Sequence, residues 1–458
     1  MTPLHGRDLE SEFLSIASEL GGDVESREQG DAYLAGTHAL YHGGPCSWAL
    51  SPKIFDSGQI DILRDAAETM GRIMDKVTDR YLRDPDFRAL FRLPADLERM
   101  TLVPTGYAQL IPLARVDVFF DEETGDYQFC ELNTDGSAGM TASVEVTHAI
   151  QASRTYHRFA ERHPDIETFD VLDAAVDAVY DTYRSWANAD GGTHHPAHPS
   201  CAIVDYTESA SIDEVNDIIE RMAEKGIYAR FADIRDLRIE RVADVVGLVD
   251  DAGPVDCVYR RAVTSEIAEK PCPGADALEE AARRGLACLV GGYRTWPCAT
   301  KTVFAVLHSK AVRDVLDPAE VSFVERHVPA TYLLDEGSDL APYSQKDRWV
   351  VKPAGSYNAV GVRAGLDCAS DAEWQDALSS CARSGGVVQE YARQYATPVI
   401  EGGAVADGVD PTEYRMANNM EGLFLFRGRF AGVFTRCGYQ NVIGEWTHRI
   451  NMGCLVVR

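Results

Sequence analysis

Arg115-Val-Asp-Val-Phe-Phe120 and Tyr127-Gln-Phe-Cys-Glu-Leu-Asn133 flank the short segment Glu122-Glu-Thr-Gly-Asp126. Apolar and polar residues alternate on both sides of a glycine-bearing turn, the pattern of a β-hairpin. Side chains at i and i+2 of a strand share a face, so Glu131 and Asn133 project together. Across the hairpin Asp117 faces them, and Arg115 shares the face of Asp117. Two carboxylates and an amide oxygen are hard ligands suited to magnesium carried by phosphates. An arginine beside them can neutralise a transferring phosphoryl group. By itself the pattern also fits a hairpin with a polar solvent face. The loop that follows, Thr134-Asp-Gly-Ser-Ala-Gly139, is made of small residues whose backbone can approach a ligand closely.

Two further stretches point the same way. In Trp349-Val-Val-Lys352-Pro-Ala-Gly355-Ser-Tyr-Asn-Ala-Val-Gly361, a lysine ends an apolar strand and meets a glycine-bearing loop. Such a lysine can reach a phosphate as a point charge while loop amides fold over a nucleotide. A Walker A pattern is absent. After a helix expected at about 371–383 comes Val387-Val-Gln389-Glu390-Tyr391, a strand whose polar end can hydrogen-bond a base.

The chain has 458 residues and a formal net charge of -28, with only eight lysines. That length suits two or three domains sharing interfaces. The anionic surface argues against nucleic-acid and anionic-membrane partners. It suits a cationic substrate such as a polyamine, or simple solubility. Because lysine is scarce, Lys352 at the end of a strand stands out. No stretch approaches the run of about 20 apolar residues that spans a bilayer, and residues 1–12 lack the apolar region of a signal peptide, so a cytoplasmic location is expected. None of the eleven cysteines forms a C-x-x-C pair, the pattern of reduced, buried thiols.

Residues 1–100 read as mostly helical, with Ile62, Leu63, Ala66, Met70, Ile73, Met74 and Val77 at helical spacing. Helices return over 148–187. A small α/β unit over 201–264 is expected to carry a parallel sheet, with strands near 201–205, 227–231, 245–249 and 255–259. Helices are expected near 276–288 and 302–315, and strands dominate from Arg348 onward. The histidines of Thr193-His-His195-Pro-Ala-His198 read as loop, His148 and His157 as packing residues, and Cys130 as a core residue on the face opposite Glu131.

On Arg115-x-Asp117, Glu131-x-Asn133, Lys352-Pro353, Gln389-Glu390-Tyr391 and Gly428-Arg-Phe-Ala-Gly432-Val-Phe-Thr-Arg436, the chain resembles the ATP-grasp ligases of circularly permuted order, the glutathionylspermidine synthetase-like carboxylate–amine ligases, without their amidase domain. The resemblance spans roughly 100–440. It implies a mixed α/β (α+β) ATP-grasp fold with a Rossmann-like preceding domain. The implied parts are a helical region at 1–100, metal-binding strands and helices at 101–200, the Rossmann-like domain at 201–275 and a nucleotide-binding part at 276–458 with a lid at 317–400. It implies ATP and Mg2+ as cofactors, with Asp117, Glu131 and Asn133 as metal ligands. Arg115 would contact the γ-phosphate, with Arg436 and Arg415 as further catalytic arginines. Lys301, Lys352, Gly355, Gly361, Gln389, Glu390 and Tyr391 would bind the nucleotide, and Arg260 or Arg261 would face the cleft. The reaction implied is amide formation through an acyl phosphate, with an amino acid or short peptide as the acid and a small amine as partner. Two departures stand out: Asn358-Ala359 replaces a glycine pair, and the lid between Lys352 and Gly361 carries no acid. A non-catalytic scaffold binding nucleotide or peptide is the alternative.

Overall fold

The expected hairpin forms and becomes one edge of the largest sheet. The computed structural model describes residues 5–41, 43–189, 195–242, 244–355, 359–444 and 447–458; Asn358, and Thr193 and His194 of the histidine run, lie outside them. From the edge inward, Tyr127–Asn133 pairs with Leu113–Phe120, then Arg415–Phe426, Arg429–Gly438, Ile450–Val457 and Trp48–Asp56. The pairs are antiparallel except the last, where Trp48–Asp56 runs parallel to the Ile450–Val457 strand.

One face of this sheet is covered by the helix Ser57–Arg83. Its start is fixed by a capping box, in which Asp56 accepts from the Gln59 backbone and the Gln59 side chain returns the bond. Leu63, Ala66, Met70, Ile73, Met74 and Val77 are all buried, as their spacing requires, and Ile62 is half-buried. Gly71 sits where Leu425 of the sheet crosses, and a Cβ there would lie 2.6 Å from its Cδ2. The strand Trp48–Asp56 is absent from the sequence reading of the first hundred residues. It is buried along nearly its whole length, so it lacks the alternation that marks a half-exposed strand.

A second sheet is wholly parallel, in the order Cys288–Val290, Cys257–Arg260, Ser200–Asp205, Tyr228–Asp233. The parallel arrangement expected for residues 201–264 is present, with two corrections. Val245–Asp250 leaves it to form a separate antiparallel sheet with Arg238–Val242 and Gly253–Val255. The fourth parallel strand is supplied by residues 288–290. The reason is geometric: after Arg238 only tight turns separate the strands, which permits antiparallel pairing, whereas parallel pairing needs a crossover such as the helix Pro273–Arg284. A third, four-stranded sheet joins Thr331–Leu333, Val387–Glu390, Trp349–Lys352 and Arg363–Ala364 antiparallel. The helix Asp371–Arg383 packs on it through Trp374 and Leu378. Among the described residues no helix is long and apolar enough to cross a membrane.

Candidate functional site

The hairpin register puts Arg115 opposite Asn133 and Asp117 opposite Glu131. Arg115 grips Asp117 with Nε on Oδ1 at 2.8 Å and Nη2 on Oδ2 at 3.2 Å. Asn133 donates its amide to Asp117 Oδ2 at 3.0 Å. From the Arg429–Gly438 strand, Arg436 brings Nη2 within 2.8 Å of Asp117 Oδ1. All three charged groups are buried. Burial alone would raise the Asp117 carboxyl, but Arg115 and Arg436 outweigh it and hold it below its ordinary value. Burial pulls the Arg436 guanidinium down, against the attraction of Asp117.

Gly422, absent from the sequence reading, makes this packing possible. It pairs with Asp117 on the neighbouring strand, and a Cβ there would stand 2.7 Å from Arg115 Cδ and 3.0 Å from Asp117 Oδ1. Arg115 lies flat across the bare backbone. Its role becomes visible only once the register between strands distant in sequence is known.

Past Asp117 the hairpin register slips: Asp117 faces Glu131, but Val118 faces Phe129. Cys130 is therefore the extra residue of a β-bulge, and a bulge breaks the strict alternation of faces. This corrects the reading of Cys130 as pointing away from Glu131, because both line the same cleft. The Cys130 carbonyl accepts from Lys352 Nζ at 2.9 Å.

That cleft lies between the third sheet and the large sheet. The third sheet supplies one wall through Val350, Lys352, Gln389 and Tyr391, and the large sheet the other through Phe119, Cys130, Glu131 and Met420. Lys301, at the start of the short helix Thr302–Leu307, enters from the side and pairs with Glu131. Burial would raise the Glu131 carboxyl, but Lys301 more than offsets it and leaves it below the ordinary value. Among the described residues Lys352 donates to neutral acceptors, the Cys130 carbonyl and Gln389 Oε1 at 2.7 Å. Burial, helped by Lys301, lowers its pKa. Within the apolar end of the cleft, Gln394 donates to the Asn441 carbonyl at 2.5 Å while its own Oε1 is buried and unpartnered. An acceptor so placed suits the amino group of a base.

The sequence candidates thus separate. Arg115, Asp117, Glu131, Asn133, Lys301, Lys352, Gln389, Tyr391 and Arg436 come together around one cleft and its floor. Glu390 turns outward to Arg348 at 3.1 Å, as strand alternation requires next to Gln389. Gly361 adopts φ 73° against the Pro353 ring, and Gly355 lies near Trp296. Arg415 is exposed and lies over the Tyr439 ring at 3.7 Å. It stands seven residues along its strand from Gly422, about 24 Å at the usual rise. Arg260 and Arg261 are buried; Arg260 is tied to Asp135, and Arg261 to Glu214 at 2.8 Å.

The site is rich in cations despite the acidity of the chain. Among the described residues Arg115 and Arg436 pair with Asp117 and Lys301 pairs with Glu131, while Lys352 is held by neutral groups and Glu214 acts on Arg115 from further away. Four positive groups against two negative ones leave room for an anion with several charges. Among the described residues no group of three His, Cys, Asp or Glu side chains is arranged to hold a metal. Asp117, Glu131 and the Asn133 amide oxygen form a hard-oxygen donor set suited to Mg2+, and protein cations and the Asn133 amide now hold both carboxylates.

No protein-family model matches the chain, and no curated protein matches its sequence. Among solved structures it is similar to a glutathione synthetase-like effector from Globodera pallida in its apo form, with a TM-score of 0.61 at 12% identity over 94% of this chain and 96% of that one. A Methylobacillus flagellatus protein assigned as a gamma-glutamylcysteine synthetase gives 0.40 at 12% identity, covering 85% of this chain and 88% of that one. A D-cycloserine synthetase gives 0.26 at 13% identity, covering 56% of this chain and 91% of that one. At these scores the last two carry no argument. The first establishes a shared mixed α/β fold over nearly the whole chain, and at that identity it speaks for fold alone.

Proposed function

We propose that this chain is an ATP-dependent carboxylate–amine ligase, an ATP-grasp enzyme of permuted order that forms an amide through an acyl phosphate and releases ADP and phosphate. One observation carries the reading: in a chain of charge -28, the buried lysines Lys301 and Lys352 line one cleft, and the buried arginines Arg115 and Arg436 hold Asp117, the register partner of the cleft residue Glu131. A polyphosphate is the anion such a site fits. One structural neighbour is named as a glutathione synthetase-like effector, which agrees with the reading.

In this reading the base lies between Val350 and Met420, with Gln394 Oε1 accepting from its amino group. Lys352 and Lys301 take the phosphates. Asp117, Glu131 and Asn133 would hold Mg2+, which supplies charge neutralisation at the phosphates. A substrate carboxylate oxygen attacks the terminal phosphorus, and Arg115 and Arg436 offset the charge that spreads over the phosphoryl oxygens. The amine then attacks the acyl carbon and phosphate leaves. Positioning by buried, interlocked side chains supplies most of the barrier reduction, with no covalent enzyme intermediate. Cys130 takes no part as a nucleophile, because burial pushes its thiol far up. The helical, Rossmann-like and nucleotide-binding parts at 1–100, 201–275 and 276–458, the lid at 317–400 and the small acid and amine partners belong to the same proposal.

The test is calorimetry of ATP with and without Mg2+ on wild type, Glu131→Ala and Lys352→Ala. Magnesium-dependent binding lost in both variants supports the reading, and amine-dependent release of ADP then identifies a ligase. Wild type that binds no ATP sinks it. The ion pairs that occupy Asp117 and Glu131 favour a second reading, a non-catalytic nucleotide scaffold. A scaffold would bind ATP equally well with and without Mg2+ and release no ADP.

A further inference from the structure

Asn441 lines the cleft and follows the strand Arg429–Gly438, so it belongs to the large-sheet wall. Its hydrogen bonds run to the opposite wall. Its Nδ2 donates to Asp367 Oδ1 at 2.7 Å. Its carbonyl accepts from Gln394 Nε2 at 2.5 Å, and its Oδ1 accepts more loosely from the Tyr391 hydroxyl at 3.4 Å. Asp367 comes just after the strand Arg363–Ala364 at the edge of the third sheet, and Tyr391 and Gln394 follow the strand Val387–Glu390. The segment around Asn441 is also fastened to its own wall. Asn418 donates to the Gln440 carbonyl at 3.1 Å, and Ile443 packs with Phe119, Cys130 and Met420.

One residue therefore bridges the two walls at the apolar end of the cleft. A side-chain amide suits that task, because it donates and accepts at once. Moving the walls apart breaks all three bonds together, so they oppose opening as a unit. The bridge also shapes what the cleft presents. With Gln394 Nε2 committed to Asn441, its Oε1 is the atom left for a ligand.

We propose that Asn441 is a positioning residue, a clasp that holds the two walls together over the base and sets how fast a nucleotide leaves. Naming the occupant a nucleotide rests on the reading given above; the clasp itself does not. Release of ATP with Mg2+ is followed by stopped-flow displacement on wild type, Asp367→Ala, Asn441→Ala and the double variant, with circular dichroism to confirm folding. Each single substitution is expected to speed release about fivefold. The double variant should be no faster than Asn441→Ala, because both break the same bond. Release of inorganic tripolyphosphate, which carries no base, should not change. Asp367→Asn keeps an acceptor oxygen and should release ATP at the wild-type rate. Unchanged ATP release in the single variants overturns the proposal, and so do effects that multiply in the double variant or an equal gain in tripolyphosphate release. Asp367 is exposed, so Asp367→Ala carries the test if Asn441→Ala does not fold. If wild type binds no ATP, the ligase reading fails, and amide hydrogen exchange over 439–444 without ligand decides the clasp: faster exchange in Asp367→Ala keeps it, and unchanged exchange overturns it.

Discussion

Two buried ionic clusters lie in the same large sheet, and their charge balance is opposite. Around Asp117, cations outnumber carboxylates. Around Lys53, carboxylates outnumber cations: Lys53 pairs with Glu122 and, at 2.9 Å, with Glu10, while Glu421 adds its charge nearby. Arg7 reaches Glu122 Oε2 only at 3.4 Å, from a half-buried position. Glu10, Glu122 and Glu421 each leave one buried oxygen without a hydrogen bond, as does Asn419. A cluster with surplus cations can be completed by an anion from outside. One with surplus carboxylates can be completed by protons alone. Burial accordingly pushes Glu10 and Glu421 up to about 7, despite Lys53. The first cluster adjoins a cleft; the second joins the helix Gly6–Glu19, the strand Trp48–Asp56 and the Arg415–Phe426 strand through fully buried side chains.

The largest effects come from removing the minority charge of each cluster. Asp117→Ala leaves Arg115 and Arg436 buried without a counter-charge and is expected to cost about 3–5 kcal/mol, read as a lower urea midpoint. Inorganic tripolyphosphate should restore part of that loss, because it supplies the missing negative charge. Lys53→Met is expected to cost about as much at pH 8, and no polyanion should restore it.

The pH response sharpens the contrast, because the two clusters titrate with opposite sign. Asp117 lies below its ordinary value, so its contribution is present at neutral pH and is lost only as pH falls through that depressed value. Glu10 and Glu421 lie above theirs. Their contribution is full below the ordinary value of 4.5 and is lost as pH rises through about 7. The urea midpoint of Lys53→Met should therefore recover at pH 5.5 relative to pH 8, whereas that of Asp117→Ala should not.

Smaller effects probe the geometry. Gly422→Ala places a methyl against Arg115 and is expected to cost about 1–3 kcal/mol, with weakened ATP binding; unchanged binding would show that Arg115 is free to move. Arg415→Ala should change stability by less than about 1 kcal/mol and leave ATP binding intact. A loss of binding there would mean that the exposed strand end bends back to the cleft.

Much of the site was legible because it rests on local rules. Alternation in the 115–133 hairpin brought Arg115, Asp117, Glu131 and Asn133 to one face, and the rarity of lysine drew attention to Lys352. The illegible parts depend on pairings between segments far apart in sequence. The strand's period of two puts Glu390 on the face opposite Gln389, and the length of its strand carries Arg415 away from Gly422. Gly422, Gln394 and Glu214 carry no local pattern at all.

By itself, then, the sequence determined the hairpin, the long helix Ser57–Arg83, the parallel character of the 200–260 segment and the chemistry concentrated at Asp117 and Lys352, because periodicity and turn chemistry act within a few residues. Only the tertiary structure decided that a bulge turns Cys130 into the cleft, that Gly422 clears space for Arg115, that Lys53 is buried among carboxylates and that Glu214 accepts from the Gly139 amide 75 residues away. Register across a sheet and burial of a charge are set by partners from remote parts of the chain, and no window of sequence contains both members of such a pair.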